Sequence, residues 1–176
     1  MGDGTCVLQN DVSMTNSGKL WDNGVNSFIL AQSFTSVNKE ISAIDLYWAC
    51  SNMGNPFCVY ITKNSPSNTP DMSSKVIEKC YKTLCNTRPF RWVKDDLPDA
   101  NNLIIGNTYW IVVYDSNSGY DPLTCGGRGW VCYNEDVGWN SNNQYAYGKL
   151  VVSTDGMRTW TDITNSDLLF RLYSSI

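Results

Sequence analysis

Tyr145–Trp160 reads YAYGKLVVSTDGMRTW. Its first half alternates: Ala146, Gly148, Leu150 and Val152 fall on one side, Tyr145, Tyr147, Lys149 and Val151 on the other. A half-buried strand requires this period of two, because successive side chains point to opposite faces. Asp155-Gly156 then supplies a turn, since glycine takes positive φ without steric cost. Thr159, Trp160 and Thr161, all strand formers, follow. The stretch predicts strand, tight turn, strand.

The same grammar runs through the chain. Phe28–Thr35 (FILAQSFT) is a strand, and Ile41–Trp48 sets Ile44, Leu46 and Trp48 against Asp45 and Tyr47. Phe57–Thr62 (FCVYIT) sets Phe57, Val59 and Ile61 against Cys58 and Tyr60. Met72–Tyr81 fits a strand or a helical turn, and its place between strands selects the strand; Phe90–Val93 is a short one. Thr108–Asp115 (TYWIVVYD) is a nearly continuous apolar run, as in a strand buried on both faces. Asp167–Tyr173 (DLLFRLY) closes the chain with Leu168, Phe170 and Leu172 on one face. No stretch has the period of an amphipathic helix. The expectation is an all-β fold over residues 28–176, a single antiparallel β-sandwich of jelly-roll type with eight or nine strands. Residues 1–27, rich in Asn, Asp, Ser and Gly, read as an irregular N-terminal arm or a short edge strand, suited to docking on a neighbour.

Composition narrows function. The 176 residues suit one domain, and 42% hydrophobic content suffices for a core. A formal charge of -4, with 13 scattered Lys and Arg, argues against nucleic acid as partner. Histidine is absent, which excludes Ser-His-Asp and Cys-His catalysis and every His-ligated metal site. Glu40, Glu78 and Glu135 stand in no recognisable motif, and the Asp residues fall mostly in loops, where turn formation explains them. The expectation is no enzyme. No apolar run approaches the roughly 18 residues of a membrane span. The start, MGDGTCVLQNDV, lacks the basic residues and apolar run of a signal peptide.

Seven cysteines suggest an oxidising destination. Cys50 and Cys58, Cys80 and Cys85, and Cys125 and Cys132 are near neighbours, so local disulfides are one reading, although spacing leaves the connectivity open. Cys6 is then left over. The alternative is that several are buried thiols. Without a CxxC pair, a thiolate zinc site is disfavoured. An oxidising destination beside a start unlike a signal peptide fits a removed leader, release by cell lysis as with virion proteins, or reduced thiols.

Ser116–Gln144 is a long insertion, and such connections are often functional. Tyr120, Trp130, Tyr133 and Trp139 lie in it, with Asn142, Asn143 and Gln144 at its end. Aromatic rings offer flat apolar faces and the amides could bond hydroxyls, so these four residues are candidates for contact with a glycan or a partner protein. The alternative is that they fold back as a minor core. Asp115, Asp121, Glu135 and Asp136 offer oxygen ligands for calcium, but their spacing matches no EF-hand, and solvated loop residues explain them as well.

The order AQSFT, ISAIDLYW, CVYIT with SPSNTP, a short strand with Trp92, LIIGNTYWIVVYDS, a Tyr-rich loop, YAYGKLVVSTDGMRTW and DLLFRLY carries a likeness over roughly residues 28–173. It resembles the β-sandwich modules of secreted bacterial and archaeal surface proteins and of virion tail or capsid accessory proteins. That resemblance implies a jelly-roll or galactose-binding-like sandwich without catalytic residues, used for attachment or decoration. The cysteines and the 116–144 insertion depart from the pattern. The hairpin also looks like the Asp box of sialidases, S-x-D-x-G-x-T-W: Ser153, Asp155, Thr159 and Trp160 match, and Met157 stands where the Gly belongs. A single copy is a hairpin-stabilising device, the Asp bonding turn amides and the Trp packing beneath.

The expected function is a non-enzymatic structural or adhesive surface module of a virion or extracellular assembly, acting through contacts with other subunits in a homo- or hetero-oligomer. The alternative is a carbohydrate-binding module of a secreted enzyme or adhesin, with a cell-surface glycan as partner. No cofactor is expected beyond the calcium option.

Overall fold

The computed structural model describes residues 5–10, 16–22, 27–50, 56–82, 87–98, 102–115, 135–140 and 145–174. Only the backbone is described at 10, 16–22, 48–50, 56–57, 81–82, 87–91, 115 and 135–140. The elements are β1 (Thr5–Asn10), β2 (Asn16–Asp22), β3 (Ser27–Thr35), β4 (Ala43–Cys50), β5 (Pro56–Asn64), β6 (Pro70–Lys82), β7 (Thr87–Asp96), β8 (Thr108–Asp115), β9 (Glu135–Asn140), β10 (Leu150–Ser153), β11 (Thr161–Ile163), β12 (Asp167–Leu168) and β13 (Phe170–Ser174). Among the described residues there is no helix, and every strand pairing is antiparallel. The all-β expectation holds. The strands outnumber the eight or nine expected because β1, β2 and β9 form in the polar segments read as an arm and an insertion, and β12 is only 2 residues long.

Two layers form. One is six-stranded, in the order β11-β10-β3-β8-β5-β6. The other is four-stranded, β1-β13-β4-β7. At one corner β9 pairs with the end of β4, with β12 and with β2, and β2 pairs in turn with β3, so the ladder passes from one layer to the other. Residues 1–27 thus contribute β1 at a sheet edge and β2 at this corner; of the two readings of that segment, Thr5–Asn10 follows the edge strand.

The period of two places the core. Leu30 and Phe34 of β3, Val59 and Ile61 of β5, and Tyr109, Ile111 and Val113 of β8 pack against Ile44 and Leu46 of β4 and Phe170 and Leu172 of β13. The alternate residues of the six-stranded sheet, Ile29, Ala31, Cys58, Tyr60, Trp110, Val112 and Val151, make a second buried cluster on its outer face. β8 is accordingly buried on both faces, as its unbroken apolar run requires. Gln32 and Asp167, both fully buried, tie the layers together: Gln32 Nε2 donates to Asp167 Oδ1 (3.2 Å), and Leu168 N donates to Gln32 Oε1 (2.8 Å).

Two expectations are corrected. The strand expected from Tyr145 begins only at Leu150. Tyr145 N donates to Asp167 Oδ2 (3.0 Å) and Gly148 N to Tyr145 O (3.3 Å), which curls 145–149 into a turn. The Tyr145 ring therefore enters the same core as Leu150, edge-on to Phe170 at 5.4 Å, where strict alternation would set the two on opposite faces. Nor do Cys50 and Cys58, or Cys80 and Cys85, pair as sequence neighbours: the disulfide joins Cys58 to Cys80. The reason is register. β5 and β6 lie side by side, with Cys58 directly opposite Cys80 and their Cα atoms 4.0 Å apart. The Cys50 side chain and residues Cys85, Cys125 and Cys132 lie outside the described residues.

Candidate ligand-binding face

The outer face of the four-stranded sheet follows directly from the core. Ile44 and Leu46 point inward from β4, so Asp45 and Tyr47 point outward; Phe170 and Leu172 do the same for Arg171 and Tyr173 on β13. The register then sets them in rows. Arg171 is opposite Asp45, which is opposite Lys94 of β7; Tyr47 is opposite Trp92. Three strands remote in sequence thereby bring three aromatic rings, a carboxylate and two cations onto one surface.

The side chains are interlocked. The Tyr47 and Trp92 rings are tilted at 55° with centroids 5.3 Å apart. The Arg171 guanidinium lies 4.0 Å over the Trp92 ring, and the Lys94 ammonium 4.1 Å over the Tyr173 ring. Asp45 is 5% exposed. Its Oδ2 accepts from Tyr173 Oη (2.7 Å) and lies 3.5 Å from Arg171 Nη1. Burial, with the hydrogen bond to Asp45 second, pushes the Tyr173 phenol up to about 12. Asp45 Oδ1 is buried with no hydrogen-bond partner among the described residues. A buried carboxylate oxygen without a donor is costly, and such atoms mark places where a further donor belongs. Cys6 of β1 pairs with Tyr173 at the margin of this face and is exposed, its Sγ 3.3 Å from Gln9 Oε1.

The Asp-box hairpin is a second constellation, in which the bonds of the Asp155 carboxylate are internal and Gly156 N donates to Ser27 Oγ of β3 (2.9 Å). Asp155 Oδ1 accepts from Ser153 Oγ (2.9 Å), Arg158 N (3.1 Å) and Thr159 N (2.9 Å), and Asp155 Oδ2 from Thr159 Oγ1 (2.6 Å). Chiefly through Thr159, these bonds hold the carboxyl down to about 2. Gly156 and Met157 take φ of 73° and 69°, and the turn delivers Met157 and Trp160 onto the outer cluster of the six-stranded sheet. The box bonds its own amides and packs its Trp beneath, as a hairpin clamp should. Elsewhere, a cleft of about 450 Å³ is lined by Lys63, Asn64, Ile104, Gly106, Asn107, Thr108 and Tyr109; Tyr109 is 3% exposed there and presents no open ring face.

Of the residues the sequence put forward, Tyr120, Trp130 and Tyr133 lie outside the described residues. Trp139 belongs to β9, where its backbone pairs with Leu168 and Asn16 and its side chain is not described. The calcium candidates Asp115, Asp121, Glu135 and Asp136 likewise have no described side chain. Asp45, Tyr47, Trp92, Lys94, Arg171 and Tyr173 were not singled out as a site. The signal that could have found them is the polar-aromatic alternation of β4 and β13, which already set Asp45, Tyr47, Arg171 and Tyr173 opposite the core residues. That β4 lies between β13 and β7 was not legible.

The fold and this face define an antiparallel β-sandwich with an aromatic, charge-lined sheet surface. No family model matches the chain, and no curated protein matches it significantly. Among solved structures it is similar to the cysteine protease and lectin-like domains of Cwp84, a surface layer associated protein of Clostridium difficile, at 12% identity and a TM-score of 0.49. The match covers 85% of this chain and 33% of that one, so this chain spans about a third of the length of the solved chain it resembles.

Proposed function

We propose that this chain is a non-catalytic carbohydrate-binding module of an extracellular or surface assembly, with the outer face of β13, β4 and β7 as its ligand face. One observation carries the reading: Tyr47 and Trp92 lie side by side next to a carboxylate with one unfilled acceptor and next to two cations. Flat apolar rings beside a few oriented polar groups are what a sugar ring needs, since it is apolar on its faces and hydroxylated at its edge. The lack of histidine supports a binding role over catalysis. The Cys58–Cys80 disulfide supports an oxidising compartment.

The test is a glycan array probed with the oxidised chain, followed by calorimetry on the best ligand. Trp92→Ala or Tyr47→Ala is expected to weaken binding at least about tenfold, near the ~1.4 kcal/mol that one aromatic contact supplies. No binding to any glycan by the wild-type chain would sink the reading.

A second reading, attachment through protein contacts within an assembly, is favoured by one observation. Ile104, Ile105 and Val37 are 61%, 56% and 47% exposed on two loops joined by Gly106 N to Ser36 O (2.8 Å) and Ser36 N to Asn107 O (2.9 Å). Apolar side chains gathered at one end of a sandwich suit a neighbouring subunit.

A further inference from the structure

We infer that the face selects a neutral sugar, one of whose hydroxyls bridges Asp45 and Lys94, and that it discriminates against acidic sugars. The inference rests on the carbohydrate-binding reading above and adds the ligand class.

Charge balance is the first ground. Among the described residues of this face and its β7 margin the cations are Arg171, Lys94 and Lys79, whose ammonium donates to Asp96 O, and the anions are Asp45, Asp95 and Asp96, the last opposite Ala43. Among these described residues no surplus of positive charge awaits a carboxylate or sulfate. An anionic group placed over Tyr47 and Trp92 would lie beside the Asp45 carboxylate, and Arg171, its nearest counter-ion, is already engaged with Asp45 at 3.5 Å and with the Trp92 ring. Like charges at such range are repelled.

The unfilled atoms are the second ground. Asp45 Oδ1 is a buried acceptor with no donor among the described residues. Lys94, directly opposite Asp45 in register and exposed, holds its ammonium over the Tyr173 ring, the same ring whose hydroxyl donates to Asp45 Oδ2. A hydroxyl group is both donor and acceptor, so one sugar O–H can donate to Oδ1 while its oxygen accepts from the ammonium. A neutral polyol completes both partners at once and brings no negative charge beside the Asp45 carboxylate. Lys94 would lift off the Tyr173 ring to admit the hydroxyl, which its exposed position allows.

The experiment is a panel of neutral polysaccharides, uronic-acid polymers and sulfated glycans bound to the oxidised chain, with Lys94→Ala and Asp45→Asn as variants and circular dichroism as the check of folding. Expected are binding to a neutral member, insensitivity of that binding to ionic strength, and a loss of about tenfold in Lys94→Ala, the scale of one charge-assisted hydrogen bond. Because Asp45 is buried, Asp45→Asn is read only where circular dichroism shows it folded; Lys94→Ala, on an exposed residue, stands alone. Binding confined to acidic glycans, or neutral binding untouched by Lys94→Ala, would overturn the inference while leaving the carbohydrate-binding reading intact. Binding to no glycan would overturn both.

Discussion

Gly148 is held where no other residue fits. A Cβ built on it would stand 2.1 Å from the Ser33 carbonyl oxygen and 2.7 Å from Gln32 Nε2. The close approach serves a purpose: Ser33 N donates to Lys149 O (3.0 Å) and Lys149 N to Ser33 Oγ (2.8 Å), which starts the pairing of β10 with β3. Gln32 is itself bonded to Asp167, so a methyl group here strains the polar tie between the layers as well. Gly148→Ala is expected to cost about 2–3 kcal/mol, as overpacking at a rigid contact does, read as a lower urea midpoint with unchanged slope. In the sequence Gly148 is only a gap in an alternation. On the other sheet, the alternation of β4 sets Asp45 on the outer face, but nothing local tells that its Oδ1 is buried without a donor among the described residues.

At the scale of the element, the 154–160 connection is a clamp whose strength depends on one carboxylate. Asp155 is held down to about 2, chiefly by Thr159, below its ordinary 3.8. A lowered acid stabilises the fold above its unfolded value, so this contribution is present above pH 3.8 and lost as pH falls toward 2. Asp95 of β7 works the other way. Burial, reinforced by Asp96 and Asp45 against Lys79, pushes it up to about 6, so its contribution is complete below 3.8 and lost as pH rises through about 6. Thermal melts across pH are expected to show both limbs. Asp155→Asn should flatten the acid limb and Asp95→Asn the limb between 3.8 and 6. A profile unchanged in either variant would contradict the assignment of that limb. The box was legible as a motif, and so was its structural role, because the bonds of Asp155 are local; the bond from Gly156 N to Ser27 Oγ (2.9 Å), which ties the turn to β3, was not. The turn over 145–149 was not legible, because the Asp167 carboxylate that accepts from Tyr145 N lies 22 residues away in the chain.

At the scale of the whole molecule, the sheet face and the apolar loop end offer separate surfaces. If the loop end docks a neighbouring subunit, Ile104→Asp with Ile105→Asp is expected to turn an oligomer into a monomer in light scattering, while leaving glycan binding at β4 and β7 within about twofold. A wild-type chain that is monomeric at high concentration would speak against self-association through these loops, and an oligomer that survives both substitutions would place its contacts elsewhere. The Cys58–Cys80 bridge braces the β5–β6 margin at the far side of the six-stranded sheet from β10 and β11.

Alternation in Ile41–Trp48, Phe57–Thr62 and Asp167–Tyr173, and the unbroken apolar run Thr108–Asp115, were enough by themselves to determine an antiparallel sandwich and which side chains face its core. That information is local: the direction of a strand side chain depends on its parity alone. Strand adjacency is not local. Only the tertiary structure decided that β4 lies between β13 and β7, that Cys58 meets Cys80, and that Asp45, Arg171, Trp92 and Lys94 share one surface. These contacts bridge tens of residues and are selected by how the two layers bury their apolar faces together, a property of the whole chain that no single stretch carries.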